Sequence, residues 1–197
     1  MKHLGRKFYH LFGGLGLLSM YFLVGRERVF IIYAVLVAMI LAIDISRLKI
    51  LAFNRFFYRH FESFIRKSEE HKLTGTAPYV LGVALSLLFY RTDIAAAAVC
   101  FLAFGDVTAT TVGERYGKTK ISGEKTLEGT LAFVAAAVLG GFSLSFVGIS
   151  LMHGLILAGA LTAAAVELVP LPVNDNAVIP LVSGGVMELI SRLTECV

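Results

Sequence analysis

Charge and cysteine are both scarce in this sequence. Only 16% of its 197 residues are Asp, Glu, Lys or Arg, and cysteine occurs twice, at Cys100 and Cys196. One cysteine sits in an apolar run and the other near the C-terminus, so they are poor partners for a structural disulfide, and their spacing fits no metal site. No period of repeat-protein length is present and no Pro/Gly/Ser-rich stretch separates two units, so a single membrane-embedded domain over residues 1–197 is expected. What replaces charge makes a soluble core a poor fit: 57% of the residues are hydrophobic and the mean hydropathy is +0.78, in apolar blocks parted by short charged ones. The first apolar run follows Lys2, Arg6 and Lys7 and imitates a secretory signal. It lacks a small-x-small cleavage site around Val24-Gly-Arg-Glu-Arg, so it is expected to stay as a span.

The expected fold is therefore all-α and polytopic, with about seven spans at residues 8–24, 29–45, 76–90, 94–109, 131–147, 149–168 and 177–190. Several are shorter than the roughly 20 residues that cross a bilayer core unaided, the last above all. Fourteen of the eighteen basic residues fall on the side shared by the N-terminus and the second, fourth and sixth loops. The positive-inside rule makes that side cytoplasmic. The formal charge of +4 then requires no nucleic-acid partner, because anionic headgroups and nucleotide phosphates account for it. Between the second and third spans, Phe53, Phe57, Phe61 and Phe64 recur at helical spacing opposite Arg55, Arg59, Glu62 and Arg66. That pattern predicts an amphipathic helix, either lying in the cytoplasmic interface or packed on the spans.

The stretch from Phe104 to Thr130 places carboxylates, lysines and glycines between two apolar runs. Asp106 falls near the end of the fourth span with Thr110 and Gly113 on the same helical face, and an ionisable residue there marks a functional site unless it only caps or pairs. Gly113 and Gly117 precede Lys118 and Lys120: glycines admit an anion to backbone N–H groups and lysines supply compact charge. The spacing is not that of a P-loop, and either lysine also fits as a solvated topogenic charge. Lys125-Thr126-x-Glu128-Gly129-Thr130 opens the fifth span, where a helix N-terminus favours phosphate and an acid can hold Mg²⁺; Glu128 equally complements the helix dipole. Glu167 ends the sixth span, Pro170 and Pro172 stiffen the turn, and Asn174-Asp175-Asn176 starts the last span with oxygen ligands or a helix cap. Arg6, Lys7 and His10 stand at the membrane boundary, where a lone His is more often packed than catalytic, and Asp44 with Arg47 reads as a local ion pair. Topology puts all of these on one side, so one nucleotide site can be built from them.

Taken together, Arg6-Lys7-x-x-His10, Gly105-Asp106, Gly113, Gly117-Lys118, Lys125-Thr126-x-Glu128-Gly129-Thr130, Glu167, Asp175-Asn176 and Pro180 resemble the dolichol kinase, phytol kinase and CTP-dependent diacylglycerol kinase family. The resemblance covers nearly the whole chain, as a catalytic core without the extra N-terminal spans of eukaryotic dolichol kinases. It implies an integral membrane lipid kinase that moves a phosphoryl group from CTP, or another nucleoside triphosphate, to a polyprenol, phytol-like alcohol or diacylglycerol. On that reading Asp106 and Asp175, with Glu128 a further candidate, ligate Mg²⁺ or another divalent cation. Lys118, Lys120 and Lys125 neutralise phosphate oxygens alongside Gly113, Gly117, Thr126 and Gly129, and Asn176 orients the nucleotide or the metal shell. Arg6, His10, Asp44, Arg47 and Glu167 are accessory. Asp106 serves equally as the base that takes the alcohol proton. The Gly/Lys elements are also similar to phosphatidate cytidylyltransferases, whose later His-Gly-Gly and Asp-rich signature is missing. A small transporter is the competing class, disfavoured because the charges gather at one face instead of mid-span. Small-residue faces in the fifth and sixth spans serve packing within one copy as well as between copies, so oligomeric state stays open.

Overall fold

The computed structural model describes residues 4–65, 69–170 and 173–195. Lys2, Arg66, Lys67, Pro172 and Cys196 lie outside them. Within them the chain is almost wholly helical: α1 (Leu4–Val24), α2 (Arg26–Lys49), α3 (Leu51–Phe61), α4 (Thr76–Phe89), α5 (Thr92–Cys100), α6 (Asp106–Tyr116), α7 (Leu127–Ser143), α8 (His153–Leu168) and α9 (Asp175–Glu195). A five-residue π-helical segment, Phe101–Gly105, joins α5 to α6 into one rod. α1, α2, the α5–α6 rod, α7 with its 3₁₀ extension to Val147, and α9 are each long and apolar enough to cross a membrane. α4 and α8, the third and sixth expected spans, have 14 and 16 residues. At 1.5 Å per residue they reach about 21 and 24 Å, short of a ~30 Å hydrocarbon core.

The structure revises three boundaries. The fourth span is the first part of a 25-residue helix that runs on to Tyr116, the sixth begins at His153 instead of 149, and the weakest expected span is a full 21-residue helix. α9 is longer than its apolar run because Asp175 opens it and an ion-paired turn ends it, with Arg192 on Glu188 at 3.0 Å. An unexpected element is the two-stranded antiparallel hairpin β1 (Lys120–Ser122) and β2 (Lys125–Thr126) between α6 and α7. α1 and α2 are separated by one residue, Gly25, whose φ of 88° is the left-handed conformation that glycine adopts without a Cβ penalty.

Small residues are concentrated in the interior, beside buried rings such as Tyr33, Tyr79, Phe101 and Phe133, while much of the exterior is large and apolar. Ile94 through Ala103 is buried without a break, making the α5–α6 rod the centre of the bundle. On α8, Gly159, Ala160, Ala163 and Ala164 face inward while Leu157 and Leu161 are exposed. Lipid tails are as apolar as leucine, so helices in a membrane associate through close packing of small residues and leave large side chains to the acyl chains. At Gly105 the approach is close: a Cβ would stand 2.6 Å from the Phe133 ring of α7. Gly105→Ala is expected to destabilise by about 1–3 kcal/mol through overpacking. It should also lower activity, since Asp106 is the next residue; a thermal melt in detergent beside an activity assay reads both.

The aromatic segment packs partly on the spans and keeps an exposed apolar face. α3 packs on α2 through buried Asn54 and half-buried Phe57, whose ring lies 6.0 Å below the Arg47 guanidinium. Phe56, Phe61 and, in the turn that follows, Phe64 stay exposed. The helix ends at Phe61, so Glu62 and Phe64 belong to the following turn.

Candidate functional site at one end of the bundle

A cavity of about 1150 Å³ opens where the start of α1, the face of α6, the hairpin, the first turn of α7, the end of α8 and the start of α9 meet. Helical spacing on α6 brings Asp106, Thr110 and Gly113 to its wall, in keeping with their common face, and Gly117 lines it just past the end of the helix. The π segment immediately before Asp106 adds a residue to the turn and so sets which side chains of α6 face the cavity, a placement common near functional sites. Lys120, Lys125, Thr126, Gly129, Glu167, Asp175 and Arg6 also line the cavity.

Lys125 is its electrostatic centre. The ammonium lies 3.1 Å from Glu167 Oε1 and 3.6 Å from Asp175 Oδ2, and it donates to the Glu167 backbone carbonyl. The start of β2 is thereby tied to the end of α8 and the start of α9, segments more than 40 residues away. Lys7 on α1 spans the rim to Glu114 on α6 at 2.8 Å. No motif singles out Glu114, although eight residues from Asp106 is again the same helical face.

The glycines have a packing reason as well as an electrostatic one. A Cβ on Gly113 would meet Thr126 Oγ1 at 3.2 Å, one on Gly117 would meet Thr126 Cγ2 at 2.6 Å, and one on Gly129 would meet the Ala109 carbonyl at 2.9 Å. They let α6, the hairpin and α7 close around Thr126, the N-cap of α7, whose hydroxyl accepts from Gly129 N. Another amide of this turn, Leu127 N, donates to Thr119 O. Two N–H groups at the α7 N-terminus are thus occupied by protein acceptors.

Other residues lie away from the cavity. Glu128 turns outward, and its carboxylate accepts the backbone N–H groups of Lys118 and Thr119 at 3.1–3.2 Å, which closes the hairpin. Those bonds stabilise the ionised carboxylate in place. Neither Glu128 nor Lys118 is among the lining residues. Asn174 caps α9 by accepting Asn176 N, which leaves Asp175 to face the cavity and Asn176 to bond elsewhere.

Asp44 and Arg47 form more than a local pair. Both are 1% exposed, with Arg47 Nε 2.8 Å from Asp44 Oδ1. The guanidinium also donates to the backbone carbonyls of Glu69, Glu70 and Lys72, and Asp44 Oδ2 accepts from Thr74 N and Oγ1. Together they hold the loop before α4.

His10 is 5% exposed, stacked on Tyr79 at 4.5 Å. Its Nε2 lies 3.0 Å from Asn176 Oδ1, and its Nδ1 lies 3.7 Å from Asp106 Oδ2. Tyr79 also donates its hydroxyl to the His10 carbonyl at 2.5 Å, a support with no motif to announce it in the sequence.

Among the described residues no cluster of three or more His, Cys, Asp or Glu side chains is placed to hold a metal ion. A cation bound through one or two carboxylates plus phosphate oxygens, as Mg²⁺ commonly is, needs no such cluster. The donor chemistry fits: Asp106, Asp175 and Glu167 offer hard oxygens to one cavity. Charge balance points the same way. Basic Arg6, Lys7, Arg115, Lys120 and Lys125 are matched by acidic Asp106, Glu114, Glu124, Glu167 and Asp175 in the lining, so a polyanion entering it calls for added positive charge.

No family model and no solved structure matches the chain. Three curated relatives do, each named CTP-dependent diacylglycerol kinase 1. The Saccharomyces cerevisiae protein is 32% identical over 111 residues, 55% of this chain and 38% of that protein. The Eremothecium gossypii protein is 33% identical over 102 residues, 51% of this chain and 32% of its own length. The match thus covers about a third of either relative. The Schizosaccharomyces pombe protein is 31% identical over 169 residues, covering 75% of this chain and 74% of that relative. Similarity of that extent, in a helical membrane bundle with its polar residues gathered at one end, places the chain in the family of the CTP-dependent diacylglycerol kinases.

Proposed function

We propose that this chain is a CTP-dependent lipid kinase that transfers the γ-phosphoryl group to the free hydroxyl of diacylglycerol, in one membrane-embedded domain. The observation that carries the reading is the convergence of Asp106, Lys125, Glu167 and Asp175 from four separate segments on one cavity, in a chain whose relatives carry that activity in their names. The basic end of the bundle, with the N-terminus, faces the cytoplasm, where CTP is found.

Phosphoryl transfer asks for positioning and charge stabilisation more than for covalent catalysis. Lys125, with Lys120 and Arg6, meets the phosphate oxygens; to do so Lys125 exchanges its ion pairs with Glu167 and Asp175 for pairs with substrate. Glu167 and Asp175 are then the carboxylates that would hold Mg²⁺, which would supply positive charge beside the phosphate oxygens, and Asp106 is left as the base. The lipid hydroxyl oxygen attacks the γ-phosphorus, the bond to the β–γ bridging oxygen breaks, CDP leaves, and the hydroxyl proton passes to Asp106. Gly113, Gly117, Thr126 and Gly129 shape the wall beside the phosphates, and Asn176 acts through His10.

Purified protein in lipid nanodiscs, given γ-labelled and separately α-labelled CTP with a panel of diacylglycerol, polyprenol and phytol, tests this. Label from the γ position in diacylglycerol is expected. Label from the α position with pyrophosphate release would mean cytidylyl transfer, and γ label confined to the isoprenoid alcohols would move the acceptor away from diacylglycerol.

A further inference from the structure

A second cavity, about 340 Å³, lies between α1, α2, α3 and the loop before α4. We infer that it is the acceptor site: a lipid alcohol enters sideways from the bilayer along α3 and presents its hydroxyl at the gap between His10 and Asp106. The inference rests on the lipid-kinase reading and locates its second substrate.

Three observations point there. The first is chemistry of the wall. Ile40, Ile43, Phe57, Phe61 and Phe64 form one side, and Ile43, Phe61 and Phe64 are 42–46% exposed, so the apolar wall continues onto the outer surface where acyl chains lie. The volume falls within the ~300–1,000 Å³ range of small-molecule sites but is too small for a long-chain lipid entire, which leaves the distal chain in the membrane. Glycerol and the first methylenes are what it holds.

The second is continuity with the triphosphate cavity. Arg6 lines both spaces, and His10 lines the apolar one while standing 3.7 Å from Asp106, which lines the other. A hydroxyl at the inner end of the apolar cavity therefore meets the phosphate site without crossing water.

The third is an unpartnered atom at that junction. Among the described residues only His10 Nδ1 and Tyr58 Oη are buried polar side-chain atoms without a hydrogen-bond partner. The other polar groups around the cavity are engaged: Thr74 with Asp44, Glu69 with Gly75 N, and Asn176 Nδ2 with Gly75 O. That last bond turns Asn176 Oδ1 toward His10 Nε2, so Nε2 carries the hydrogen and Nδ1 is left as an acceptor. A buried acceptor without a donor is costly; the substrate O–H supplies that donor on binding and turns from Nδ1 to the Asp106 carboxylate, 3.7 Å away, for transfer.

Two measurements on the full chain in nanodiscs test the inference. A diacylglycerol carrying a diazirine near the glycerol should label residues 40–43 and 57–65, with labelling displaced by unlabelled diacylglycerol. Undisplaced labelling spread over the outer faces of α7 and α8 would overturn the inference. Ile43→Trp, which fills the cavity, should raise the KM for diacylglycerol about tenfold or more at unchanged CTP affinity. An unchanged lipid KM in a variant that binds CTP normally would also sink it. The two readings fail separately: γ-transfer with labelling elsewhere defeats only the acceptor site, and displaceable labelling at 40–43 and 57–65 without γ-transfer defeats only the kinase.

Discussion

Asp106→Asn is expected to lower CTP-dependent phosphorylation of diacylglycerol by about a hundredfold or more, the usual scale for removing a positioned base or charged ligand. The replacement keeps the shape of the side chain and removes only its charge and basicity. Asp106 is partly open to the cavity, with 17% of its side chain exposed, so it sits in no dry packed environment that the amide would disrupt. The thermal midpoint in detergent should accordingly stay close to that of the parent protein while kcat falls. Full kcat in the variant would remove Asp106 from the reaction. Lys125→Ala should give a comparable loss with a different signature. It leaves Glu167 and Asp175 without the cation between them, so CTP binding weakens together with turnover, and measured CTP affinity separates the two variants.

The largest stability effect is expected at Arg47. Arg47→Ala should destabilise by about 3–5 kcal/mol, because removing one partner of a buried pair leaves the other charge uncompensated. Asp44 would lose its guanidinium, and the carbonyls of Glu69, Glu70 and Lys72 would lose a common donor. Arg47→Lys keeps the charge but not the planar fork that reaches a carboxylate and three carbonyls together, so it should recover only part of the loss. A midpoint of thermal unfolding within a degree or two of the parent for Arg47→Ala would contradict the bracing role. Since the braced loop walls the smaller cavity, the lipid KM of Arg47→Lys is expected to shift more than its CTP affinity.

Much of this arrangement is legible in the residue order. Seven apolar segments, the positive-inside bias and the short polar loops leave few ways to thread the chain, and they force Arg6, His10, Asp106, Lys125, Glu167 and Asp175 to the same end. Helical periodicity then puts Asp106, Thr110 and Gly113 on one face of α6. The hairpin at Lys120–Thr126 is harder to see, since five strand residues around Ser122-Gly123-Glu124 carry too short a pattern to register as alternation. The extent of the α5–α6 rod is only partly visible, because the apolar run stops at Ala109, and the π segment and the packing of Gly105 on Phe133 show one continuous helix reaching Tyr116.

A polytopic helical protein with its chemistry at one end follows from the amino-acid order alone, because apolar length and charge placement in a bilayer are local properties that one-dimensional patterns report fully. Which of the gathered residues share a cavity depends instead on how the helices pack. Asp44 and Arg47 are drawn into a buried brace, Glu128 into closing the hairpin, and Lys125 toward Glu167 and Asp175. His10 is held at the junction of two cavities by Tyr79, Asn176 and Gly75. Apart from the Asp44–Arg47 pair itself, each of these depends on contacts between residues from 9 to 166 positions apart, and side-chain partners at such separations leave no spacing in a sequence.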